Sequence, residues 1–122
     1  MTMVKKSKQN WELKWDNLLK YINDKFGDEK YLGLQAVLYL IGVNELGQGL
    51  KEFSKEDKLN LIHIAICKLL SEHGYYDFDF IDEEGWPHWK TNNDIPKLSP
   101  EKQDLLIKKS AVKYFSESGV EF

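Results

Sequence analysis

Two places in this 122-residue chain carry side chains able to do chemistry. The first is His63 and Cys67, four apart, the spacing that sets two side chains on one helix face. An imidazole beside a thiol is the beginning of either a metal site or an activated nucleophile. Two ligands do not make a site, however, and His73, ten residues from His63, faces a different way. Cys67 is the one cysteine in the sequence, so no intrachain disulfide, CxxC redox pair or zinc knuckle can form. Nothing adjacent orients the imidazole or supplies an oxyanion pocket. Packing at the edge of a buried stripe is therefore the better reading, and no catalytic residue, metal or cofactor is assigned.

The second is the stretch DFDFIDEEGWPHWK, residues 77–90. Its acids, Asp77, Asp79, Asp82, Glu83 and Glu84, invite comparison with paired catalytic carboxylates or a cation site. They do not follow the DxDxDG calcium-loop pattern, and a solvated acidic face that discourages further strand pairing accounts for them. Trp86 and Trp89 have opposite parity, so a regular strand buries them on different faces, one closing the core and the other left to a partner. Exposed indole beside acids and a histidine suits a basic peptide or a cationic or carbohydrate ligand. The candidate partner-binding residues are accordingly Tyr75, Tyr76, Asp77, Glu83, Glu84, Trp86, His88 and Trp89.

The elements that must position these residues can be read from periodicity. Trp11, Trp15, Leu18, Leu19, Ile22 and Phe26 recur at three- and four-residue spacing and predict a first helix ending near Gly27. The apolar run from about residue 30 to 46 predicts a buried central helix, in which Gly33 and Gly42 let a neighbour approach. Ser54 with Asp57 marks the start of a third helix, with Leu59, Ile62, Ile66, Leu69 and Leu70 as its stripe and Gly74 as its stop. From Tyr75 the period falls to two, placing Tyr76, Phe78 and Phe80 on one side of a strand and Asp77 and Asp79 on the other. Glu83, Glu84 and Gly85 form a three-residue bulged hairpin turn, and the return strand, with Pro87 near its start, is an edge. Ser99 followed by Pro100 opens a last helix to about Ser116, with Leu105, Val112 and Phe115 toward the core and Ile107, Ala111 and Tyr114 on an adjoining side.

The expected fold is mostly α with a small α+β character: three helices, a two-stranded antiparallel hairpin, then a C-terminal helix. Residues 1–10 read as a flexible basic arm, 11–118 as one helical domain with its hairpin near 75–91, and 119–122 as a C-terminal tail. The composition, 42% apolar and 30% charged, is that of a folding chain. The start lacks the apolar core of a secretory signal, and the longest apolar run is too short to span a membrane. A soluble cytoplasmic protein is expected.

All 17 basic residues are lysines, so the bidentate guanidinium fork that reads guanine is absent. Three helices followed by a hairpin resemble a winged-helix domain in element order, which implies a third helix in the major groove and a hairpin against the backbone. Charge opposes this: residues 74–90 hold five acids and one lysine, a formal −4, where phosphate would approach. Lys55, Lys58 and Lys68 of the third helix are offset by Glu56, Asp57 and Glu72. Nucleic-acid binding is thus disfavoured, as nonspecific contact by another lysine-bearing face. A small enzyme with its site near the hairpin is the other alternative. The leading expectation is a small intracellular protein-interaction or regulatory module that recognises a partner with a basic surface through its acidic aromatic hairpin, with self-association as another use of the same surface.

Overall fold

A computed structural model describes residues 9–26 and 33–122 of the chain. Four helices and one hairpin follow in the order α1 (Asn10–Phe26), α2 (Leu34–Leu46), α3 (Lys55–Ser71), β1 (Tyr76–Ile81), β2 (Pro87–Thr91) and α4 (Pro100–Glu117). This is the expected mostly-α, small α+β arrangement. Lys5, Lys6 and Lys8 of the expected basic arm lie outside the described residues, as does residue 30, the expected start of the second helix; α2 begins at Leu34. Among the described residues no helix is long and apolar enough to cross a membrane.

Local chemistry sets the helix ends. Ser54 Oγ accepts from the Asp57 amide at 3.1 Å, and Ser99 Oγ accepts from the Lys102 amide at 3.3 Å, so two otherwise orphaned donors are satisfied. Pro100 sits in the first turn of α4, where it has no hydrogen bond to lose. At the far end of α3 the Tyr75 amide reaches back to the Leu70 carbonyl and the Gly74 amide to that of Ser71, which closes the last turn and releases the chain into β1.

The core is a helical one. Trp15, Leu18 and Ile22 of α1, Val37, Leu38 and Ile41 of α2, Ala65, Leu69 and Leu70 of α3, and Ile107, Ala111 and Val112 of α4 form one buried cluster. Lysines of α4 lie over the indoles of α1, Lys108 at 5.9 Å from the Trp15 ring and Lys109 at 5.4 Å from that of Trp11, covering the seam with their aliphatic stems. After Glu117 the chain folds back, and Phe122 packs against the same cluster.

Two details of facing depart from the periodicity. In α3, Leu59 is 59% exposed and the buried line is Leu61, Ile64, Ala65, Cys67, Leu69 and Leu70. In α4, Leu105 is exposed and burial centres on Ile107 and Ala111. Both helices carry apolar residues on more than one seam, and the choice between seams is made by the neighbours against which they pack. Gly42 and Gly33, read alike from sequence, are also different. A Cβ at Gly42 would overlap the Leu61 carbonyl, so this glycine lets α2 and α3 touch backbone to backbone; at Gly33, which precedes α2, the space is open.

Candidate functional site

The hairpin is built on Asp82. The Asp82 amide donates to the Trp86 carbonyl at 2.9 Å and the Gly85 amide to the Asp82 carbonyl at 3.0 Å, closing the three-residue turn of Glu83, Glu84 and Gly85, with Gly85 at φ 89°. The Asp82 carboxylate then accepts three more hydrogen bonds, from the amides of Glu84 and Trp86 on Oδ1 and from the His88 ring at 2.9 Å on Oδ2. The His88 bond above all, with the two amides, holds this carboxyl below its ordinary pKa. One of the five acids is thus a structural member of the turn. At the neck, Asn92 closes the excursion: its amide donates to the Tyr75 carbonyl and its side-chain Nδ2 to the Gly74 carbonyl, each at 3.0 Å.

A carboxyl with a lowered folded-state pKa contributes stability that is complete above its unfolded value and is lost as pH falls through the folded one. The hairpin should therefore be intact at pH 5 and above and loosen below about pH 4. The check is to follow the Trp86 and Trp89 indole resonances down to pH 2.5. The native signals should shift in this acid window, and Asp82→Asn should move them toward the acid form already at pH 6.

The ladder contains an irregularity. Phe78 pairs with Trp89 and Phe80 with His88, so Asp79 is the extra residue of a bulge. Phe78 meets the Trp89 ring edge-on at 5.6 Å, whereas Phe80 stacks flat on His88 at 4.4 Å. Adjacent residues of a pleated strand turn to opposite sides, so the aromatic line expected from Tyr76 through Phe80 is split by the bulge. Only Tyr76 of the three is half-buried, against His63 of α3; Phe78 and Phe80 are about half exposed at 51% and 50%.

The two tryptophans are both half-buried. Trp86 packs edge-on against Phe53, a buried residue of the α2–α3 loop, within a second apolar cluster that includes Val43, Leu46 and Leu61. Gln48 holds the turn from the same side, its Nε2 donating to the Glu84 carbonyl at 2.9 Å. Trp89 buries its indole nitrogen without a hydrogen-bond partner among the described residues.

Between this hairpin and the first half of α3 lies a groove of about 340 Å³, walled by Trp86, Trp89 and Pro87, with Asp57, Asp82, Glu84, His63 and His88 around it. Four of the eight residues singled out from sequence, Glu84, Trp86, His88 and Trp89, meet here. Tyr75 and Tyr76 line a different cavity of about 270 Å³ with Ile95, Lys97 and Leu98. Asp77 and Glu83 are exposed and line neither. Sequence reasoning missed Asp57 and His63 as walls of the groove, for they lie on a different element, far along the chain, with no local pattern to join them. It also missed the exposure of Phe78, Phe80 and Ile81; the signal was available in the hairpin being two strands alone, which leaves a face without cover.

Two histidine pairs bear on catalysis. Cys67 Sγ lies 3.5 Å from His63 Nε2, but the thiol is fully buried and burial pushes it up to about 11, away from the thiolate a nucleophile needs. His73 Nε2 is 3.1 Å from Ser110 Oγ, and that serine is buried in the helical core, 4% exposed. Neither pair presents a nucleophile to a substrate. Comparison with protein-family models, with curated proteins and with solved structures finds no match to this chain.

Proposed function

We propose that the protein is a small interaction module of the cytoplasm that receives a lysine- or arginine-bearing segment of a partner protein in the groove between α3 and the hairpin. The observation that carries this reading is the lining: three acidic residues, Asp57, Asp82 and Glu84, and two tryptophans surround one concavity, and no lysine among the described residues lines it. Asp82 is committed to His88 and the turn, which leaves Asp57 and Glu84 to meet a cation. Asp57 also stands in the first turn of α3. The indole faces add cation–π attraction, worth about 0.5–1 kcal/mol at exposed sites. The groove is at the small end of ligand pockets, typically about 300–1,000 Å³, and suits one long side chain better than a cofactor. A buried unpaired cysteine accords with a reducing compartment.

The test is a titration of the full chain with an eight-residue oligolysine, followed through the two indole resonances in 50 mM salt. Saturable shifts of Trp86 and Trp89 are expected, with no response to oligoglutamate. The double reversal Asp57→Lys and Glu84→Lys should weaken binding about tenfold, the scale of two partly screened ion pairs. Unmoved indoles would overturn the reading.

A further inference from the structure

Phe78, Phe80 and Ile81 are 51%, 50% and 62% exposed, three large apolar side chains within four positions of one strand, and none of them lines the groove. Every residue from 77 to 81 is exposed, and among the described residues β1 is paired along one edge only, to β2. A free edge bearing apolar side chains is a template for another strand. We propose that β1 takes up an extended segment of the partner as a third strand, one in which basic and apolar residues alternate. This rests on the reading of a basic partner and deepens it, by adding backbone pairing at the strand to side-chain capture in the groove.

Charge complementarity selects the occupant. Inside the hairpin, Asp77 already faces Lys90 and Phe78 faces Trp89, so β2 meets β1 with lysine across from acid and aromatic across from aromatic. A strand of the same alternation brings the same chemistry to the other edge: an ammonium opposite Asp77 and an apolar side chain beside Phe78. A second copy of the chain fits worse. Antiparallel β1 against β1 centred on Phe78 sets Asp77 opposite Asp79 twice, and centred on Asp79 it sets the two Asp79 carboxylates face to face. The bulge between Phe78 and Phe80 confines regular pairing to the start of the strand, so the added strand is short and its affinity modest.

Hydrogen exchange on the full chain tests this, with the heptapeptide Lys-Val-Lys-Val-Lys-Val-Lys as probe and the same peptide N-methylated at alternate amides as control. The β1 amides that do not face β2 should exchange at least tenfold more slowly with the first peptide and not with the second, and Asp77→Lys should remove the protection. Shifted indoles without slowed β1 amides would overturn strand addition and leave the groove reading standing. Slowed amides with unmoved indoles would uphold strand addition and sink the groove. Slowing that appears without peptide, together with a dimer in sedimentation, would make a second copy the occupant and overturn the proposal.

Discussion

Gly42→Ala is expected to cost the fold about 3 kcal/mol, the upper end of what overpacking a core does. Alanine is the better helix former by about 1 kcal/mol, so propensity alone would have the substitution stabilise α2. Geometry reverses the sign. The new Cβ would lie 2.6 Å from the carbonyl carbon of Leu61 and 2.9 Å from its Cβ, and nearer still to the carbonyl oxygen. The obstacle is helix backbone, which cannot rotate aside as a side chain does, so α2 and α3 must separate. These two helices form the most extensive contact between elements, and Leu61 itself is fully buried. For a chain of this length 3 kcal/mol lowers the melting temperature by about 12 °C. Gly33→Ala supplies the control: with open space around it, its cost comes from its backbone conformation alone, φ 64° and ψ −135°, about 2 kcal/mol. Urea unfolding of the two variants should rank them in that order, and equal losses would remove the close-contact explanation.

Phe53→Ala should be of similar size, about 3 kcal/mol for an aromatic taken from a buried site. Phe53 is 7% exposed and joins three parts of the molecule: it stands edge-on to Tyr39 of α2 at 6.3 Å and to Trp86 of the hairpin at 6.4 Å, and caps the cluster built by Val43, Leu46 and Leu61. Its loss has a second consequence that a plain core truncation lacks. Trp86 loses the wall that holds it, so its emission should move to the red in the folded variant, and oligolysine should bind more weakly even in conditions where the helices remain intact. Leu18→Ala, in the helical cluster and remote from Trp86, should lose comparable stability without either effect. A folded Phe53→Ala protein with unchanged Trp86 emission would show that the hairpin is held by other contacts.

What the sequence made legible follows how far its signals reach. The caps at Ser54 and Ser99, the proline after it, and the Glu83–Gly85 turn are decided within four or five residues, and these stand where periodicity and turn chemistry put them. The order of elements follows from such punctuation. Which seam of α3 or α4 is buried does not, because Leu59 and Leu105 are as apolar as the residues chosen instead, and only the packed neighbours separate them. The bulge at Asp79 is equally silent in a perfectly alternating DFDF. Of the candidate site, the indoles and Glu84 could be found from composition, while their meeting with Asp57 is a product of how α3 and the hairpin are set against each other.

The neck at Asn92, which ties the hairpin's exit to Gly74 and Tyr75, separates two design problems. With its ends held there, the excursion between them is a loop already closed. Doubling the length of a flexible loop adds only about 0.6 kcal/mol of closure entropy. The loop can therefore change length at little entropic cost, provided that Trp86 keeps its seat against Phe53 and Tyr76 its place against His63. Chain length in the hairpin is thus set free at the neck, while its composition is tied to the core at Trp86.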